Sequence, residues 1–138
     1  MAKTLKGTKA RGWNIFSRYI KLKYSDKGFC VCITCGKKMK NNDRNCHAGH
    51  AFGGRGGNIL FCEEIVRPQC CHCNIFLKGN YEEFHAWILK EYGEEGFWKY
   101  HRLKNTPHKW TIEEIEVGIE TWKAEIEKME KGKGVNRL

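Results

Sequence analysis

The sequence predicts an α+β fold: a small zinc-stapled ββα-metal finger flanked by an N-terminal helix and a C-terminal helical region. Three observations predict it. Cys32-Ile33-Thr34-Cys35 and Cys70-Cys71-His72-Cys73 are two Cys-x-x-Cys knuckles. Apolar residues recur at three- and four-residue spacing near both ends of the chain. Between those ends only short apolar runs occur, and glycines separate them.

The elements follow in order. Residues 1–11 are rich in Lys, Gly and Thr and are expected to form a basic mobile arm. From Gly12 to Tyr24, the apolar residues Trp13, Phe16, Tyr19, Ile20 and Leu22 fit one face of a helix. Arg18, Lys21 and Lys23 then lie on its outer face, and Asp26-Lys27-Gly28 is a turn signal. Residues 29–40 read as a strand, a knuckle and a returning strand. The polar, glycine-rich stretch 41–58 is expected to loop around a site. Ile59 to Cys62 and Ile65 to Arg67 are short apolar runs, with Pro68 stopping the second.

Asn80 and Glu83 have the spacing of an N-cap and its N3 partner. Phe84, Trp87, Ile88 and Tyr92 form the buried stripe of that helix, and Gly93 stops it. Phe97, Trp98, Tyr100 and Leu103 suggest another short helix. After Pro107, Thr111-Ile112-Glu113-Glu114 is a capping box opening the last helix. Its apolar residues Ile112, Ile115, Ile119, Trp122, Ile126 and Met129 form an a/d seam. The seam either packs within the chain or closes a homodimer through residues 112–129. Residues 12–93 thus make a zinc-containing core and residues 94–138 a helical extension.

At 138 residues the chain is one small domain. Its opening, Met-Ala-Lys-Thr-Leu-Lys, has no apolar run, so neither a signal peptide nor a transmembrane span is expected. A cytoplasmic, reducing location follows, and there eight cysteines favour metal over disulfides. Cys32, Cys35, Cys70 and Cys73 supply four soft ligands for tetrahedral zinc. A complete tetrathiolate leaves no open position, so this zinc is structural. Cys30, Cys46, Cys62 and Cys71 remain as thiols outside it.

The net charge is +9 and unevenly placed. Residues 1–44 hold 12 Lys and Arg against Asp26 and Asp43 alone, a balance of +10. A surplus so concentrated beside the knuckles points to a polyanion, and nucleic acid fits it best.

Hydrolysis of a phosphodiester needs a base for water, a cation at the scissile phosphate and stabilisation of the leaving oxygen. A ββα-metal finger takes its base from a strand histidine and its metal ligands from that strand and the following helix. His50, in Ala-Gly-His, offers a base that titrates near neutrality. His47 and Asn74, the residue directly after the last cysteine, offer ligands to a divalent ion.

Several motifs together resemble the NinG (Rap) recombination proteins of lambdoid phages. They are Cys-x-Thr-Cys-Gly at 32–36, Ala-Gly-His at 48–50, Pro-Gln-Cys-x-x-Cys-Asn at 68–74, Gly-Asn at 79–80 and Phe-Ser-x-Tyr-Ile-Lys-Leu at 16–22. The resemblance covers roughly residues 12–93, and more distantly the knuckles and His50 are similar to phage endonuclease VII. Both are HNH (His-Me finger) nucleases. The resemblance implies an HNH-like fold and metal-dependent cleavage of branched DNA, such as Holliday junctions and D-loops, in phage recombination. It implies His50 as general base and Asn74 as ligand to Mg2+ or Mn2+.

The departures are specific. The family's Asp one or three residues before the base is replaced by Gly49 and His47. The family's Asn five residues before the third zinc cysteine is Ile65 here. Arg67 replaces a histidine two residues later and is expected to grip phosphate. His85 replaces an arginine and reads either as a phosphate contact or as a helix-surface histidine. The expected DNA contacts are therefore Arg18, Lys21, Lys23, Arg55, Arg67 and His85. The competing reading is a non-catalytic zinc-ribbon module that binds nucleic acid.

Overall fold

A computed structural model describes residues 3–53 and 57–136, with side chains as far as residue 132. Helix α1 (Leu5–Lys23) leads into a hairpin of strands β1 (Phe29–Val31) and β2 (Lys38–Lys40) that holds the first knuckle. Strands β3 (Cys46–His50) and β4 (Val66–Cys70) form a second antiparallel pair, and β4 ends on the third knuckle cysteine. A single π-helical turn, His72–Phe76, follows. Helices α2 (Tyr81–Lys104) and α3 (Ile112–Asn136) complete the chain. Helices and small antiparallel sheets are thus mixed, as an α+β fold requires. Among the described residues no helix is long and apolar enough to cross a membrane.

Helix α1 lies between the β3–β4 sheet and α3. Phe16, Tyr19 and Ile20 pack with Ala48 and Val66 on one side and with Trp122, Ile126 and Met129 on the other. Gly12 lets the two helices close up, since a Cβ there would stand 2.8 Å from Ile115 Cγ2. The α3 seam is therefore filled by α1 of the same chain, the intramolecular alternative. A second core gathers Ala51, Phe52, Ile59 and Ile65 under Phe84, Ile88 and Tyr100 of α2.

Several expectations change. Residues 5–11 are not an arm: they are the first turns of α1, capped by Thr4, whose hydroxyl accepts from the Gly7 amide at 3.0 Å. Lys3 and Arg11 both reach Glu116 on α3, which explains why the basic segment is tied down. The stretch 41–58 is not all loop, because β3 lies within it. Its small residues admit the strand: a Cβ on Gly49 would stand 2.1 Å from the buried Gln69 Oε1. Ile59 closes a 3-10 turn instead of extending a strand. Pro68 does not stop β4, which runs on to Cys70. A two-stranded sheet leaves one side of each strand without a ladder partner, and a proline fits there.

Asn80 does not cap α2 with its side chain; its backbone is left-handed (φ 46°) and its amide turns to the Cys73 sulfur at 3.6 Å. Gly93 (φ 74°) does break α2 where the sequence places a stop. The capping box also forms: Glu114 N donates to Thr111 Oγ1 at 3.2 Å, and Thr111 N donates to the Glu114 carboxylate at 2.8 Å.

Candidate functional site

The knuckles bring four sulfurs together. Those of Cys32, Cys35, Cys70 and Cys73 all lie within 4.8 Å of one another, with Cys35 and Cys70 at 3.7 Å. A tetrahedron with metal–sulfur bonds of about 2.3 Å has edges of about 3.8 Å. Donor type and spacing therefore fit zinc. Burial opposes ionisation of Cys32, but the Thr34 hydroxyl and nearby amides bring its thiol down to about 6. Burial pushes the Cys35 thiol up to about 12, with the three neighbouring sulfurs adding to it. Four sulfurs this close cannot all ionise without a cation. The surroundings are polar where they touch sulfur: Cys73 N donates to Cys70 Sγ at 3.4 Å and Asn80 Nδ2 to Cys73 Sγ at 3.6 Å. Gln69 ties the two knuckles together, donating to Thr34 Oγ1 at 3.1 Å and to the Gly79 carbonyl at 2.8 Å.

Beside this cluster lies an open cleft of about 620 Å³. His47 and His50 of β3, Asn74 of the π turn and Lys21 of α1 all line it, together with Asp43 and Arg44. His50 is 9 % exposed. Its Nε2 lies 3.1 Å from the Leu60 carbonyl, which can only accept, so Nε2 carries the proton and Nδ1 is the basic nitrogen. The Trp13 indole stacks on the imidazole at 4.9 Å between centroids and 17° between planes.

His47 Nε2 likewise meets a carbonyl, that of Arg44 at 3.1 Å, which leaves Nδ1 as the acceptor. The Asn74 carboxamide stands 3.0 Å from that Nδ1. Hydrogen bonding places Nδ2 there as donor to Nδ1, and only with a cation between them would the carboxamide turn over to present Oδ1. Nitrogen and oxygen at 3.0 Å match neighbouring ligands of an octahedral ion with bonds of about 2.1 Å. A divalent cation shared by His47 and Asn74 would have to replace the hydrogen bond that now joins them.

The other expected contacts are distributed differently. Lys21 faces the cleft, its Nζ 3.4 Å from the Cys46 carbonyl. Lys23 is engaged elsewhere, paired with Glu63. Burial works against ionisation of Glu63, yet Lys23 and the hydroxyls of Tyr19 and Tyr24 hold it below the usual carboxylate range. Arg67 does not line the cleft. It donates to the Glu63 and Val66 carbonyls at 2.6 and 2.8 Å, and its guanidinium covers Tyr24 at 3.9 Å. Its neighbours make it a brace between α1 and α2. His85 sits among Phe52, Tyr81 and Phe97, behind the cleft wall, and burial lowers its pKa. Arg18 borders a neighbouring cleft. Arg55 lies outside the described residues.

Trp13, Asp43 and Gln69 escaped the sequence reading. Trp13 carried the signal of a core residue, and the helical stripe could not show that its ring lies over a histidine. Asp43 sits in Asn41-Asn42-Asp43-Arg44 just before β3, and that charged turn was the available clue. No curated protein and no solved structure matches this chain. The family model of the bacteriophage lambda NinG protein matches residues 2–132, and the chain belongs to that family.

Proposed function

We propose that this protein is a metal-dependent, structure-selective endonuclease of the HNH type that cleaves branched DNA, such as Holliday junctions and D-loops, during phage recombination. The observation that carries the reading is one cleft shared by His47, His50 and Asn74, walled by Lys21 and Arg44 and anchored on the sulfur cluster. His50 takes a proton from water at Nδ1 while Leu60 fixes its tautomer and Trp13 its plane. The water oxygen joins phosphorus as the opposite ester bond breaks, and the leaving oxygen takes a proton from solvent in the open cleft. Lys21 and Arg44 hold the backbone charge of the strand. His47 and Asn74 would hold Mg2+ or Mn2+, which would neutralise charge at the scissile phosphate. Asp43 brings to the same cleft the carboxylate that positions 47 and 49 lack. Zinc on the four cysteines is structural and fixes where β4 and Asn74 stand.

The test pairs a four-way junction with a linear duplex of the same sequence, each with Mg2+ or Mn2+. Wild-type protein is expected to nick the junction in preference. His50→Ala is expected to lose about 10²- to 10⁴-fold in rate, the usual contribution of a general base, while zinc content and junction binding stay unchanged. Nicking that survives in His50→Ala would sink this mechanism. Binding without nicking by the wild type under both metals would favour a non-catalytic zinc-ribbon module.

A further inference from the structure

A second cleft, of about 490 Å³, opens on the other side of Asn42, which borders both. Arg18, Lys27, Lys40 and Asn41 line it, and Glu130 of α3 is its single carboxylate among the described residues. The fold sets where the backbone presents these cations. Lys27 sits in a tight turn closed by two backbone bonds between Asp26 and Phe29, of 2.8 and 3.0 Å, and its backbone is left-handed (φ 51°). Lys40 faces Phe29 across the β1–β2 pair. The Asn41 backbone carbonyl and side-chain oxygen lie 3.3 and 3.4 Å from Arg18 Nη1.

The charge of this cleft is poorly compensated. Among the described residues neither Lys27 nor Lys40 has a carboxylate within ion-pair distance, and Glu130 stands a loose 4.0 Å from Arg18 Nη2. Three cations against one distant anion, in a concave surface, form a site for an anion. Its position says which one. Arg18 and Lys21 are three residues apart on α1, about 4.5 Å of rise. One of them faces each cleft.

We propose that the second cleft is a phosphate subsite that grips the backbone of the nucleic-acid strand whose scissile phosphodiester lies in the His50 cleft. This rests on the nuclease reading for the identity of the strand, but not on cleavage. Arg18, Lys27 and Lys40 contact successive phosphates, and Glu130 limits the grip by competing for Arg18.

The experiment measures binding of a 20-nucleotide single strand by fluorescence anisotropy across a salt series, with the zinc-loaded protein and Ca2+ in place of Mg2+ or Mn2+, so that cleavage is suppressed and the zinc stays bound. Each lost phosphate contact lowers the log–log salt slope of a single strand by about 0.7. Lys27→Ala/Lys40→Ala should lower the slope by about 1.4 and weaken binding at 0.1 M salt by roughly 25-fold. Glu130→Gln should tighten binding, an effect that damage to the fold would not produce. Lys90→Ala/Lys99→Ala, on α2, should leave the slope unchanged. Inorganic phosphate should compete more weakly with the Lys27/Lys40 variant than with the wild type.

An unchanged slope in the Lys27/Lys40 variant, or an equal fall in the Lys90/Lys99 variant, overturns the subsite. Failure of the wild type to bind the strand overturns it together with the nucleic-acid reading. Normal binding and slopes beside an inability to nick any DNA would keep the subsite and sink only the nuclease.

Discussion

The sulfur cluster and the histidine cleft meet at the β3–β4 pair, where β4 ends on Cys70 of the cluster and β3 carries His47 and His50 of the cleft, but they are held together in different ways. The cluster comes from two tight turns, each carrying its own pair of ligands, and Gln69 joins them through Thr34 and Gly79. Three of its four cysteines are buried. The cleft is assembled from a strand, a turn and the distant helix α1, and it is open. Its histidines are oriented by backbone carbonyls, those of Leu60 and Arg44. The comparison teaches that the cluster sets positions and the cleft uses them. Damage to the first should therefore remove both, and damage to the second should leave the first standing.

The most severe break is Cys73→Ser. Structural zinc sites contribute apparent binding energies of about 10–16 kcal/mol near neutral pH, so this variant should lose zinc and its cooperative thermal transition. Metal analysis and circular dichroism check it. A retained transition at the wild-type temperature would separate the cluster from the fold.

Gly49→Ala strikes the β3–β4 pair. Its Cβ would collide with Gln69 Oε1, and Gln69 is anchored to both knuckles. A cost of about 1–3 kcal/mol is expected from overpacking, read by denaturant unfolding. Gly49→Asp, which places an acid directly before His50, should be at least as unstable and no faster at nicking.

Asn80→Ala sharpens the contrast further. Losing the amide that meets the Cys73 sulfur should weaken zinc affinity by about tenfold, in the range seen for partners of metal ligands. Chelator competition measures it, and the junction-nicking rate at saturating zinc should not change.

The smallest effect concerns Glu63, the anchor of α1 on the turn before β4. Its folded pKa is depressed, so the stabilisation is present above the ordinary carboxylate range and is lost as pH falls through the folded value. Glu63→Gln should cost about 1 kcal/mol at neutral pH and should flatten the fall in melting temperature below about pH 4.3, the ordinary Glu value. An equally steep acid limb in the variant would show that other carboxylates govern it.

The cluster was legible because a Cys-x-x-Cys turn is local: four residues specify the ligands and the turn together. Gly93 and the Thr111–Glu114 box were legible for the same reason, each being decided within a few residues. Strand β3 was not, because its glycine signals a loop unless Gln69 is known to fill the space beside it. Asn80 had the spacing of a cap, yet a sulfur competed for its amide. The role of Arg67 was hidden in tertiary packing: a guanidinium near phosphate and one clamped over Tyr24 look alike in sequence. The pairing of Lys23 was hidden for a similar reason, since its partner Glu63 lies 40 residues away.

The packing of α1 against α3 also sets an order of events. Lys3 and Glu116, which join the two helices, are 113 residues apart in the chain. Helix α1 leaves the ribosome well before α3, the surface that covers Phe16 and Ile20. The knuckles, only 34 residues from one to the next, can gather their metal well before then. Contacts of such long separation form slowly, so the cover of α3 over Phe16 and Ile20 comes after the knuckles have closed. A nascent chain carrying the sulfur cluster alone would therefore hold its metal while the outer face of α1 still stands uncovered.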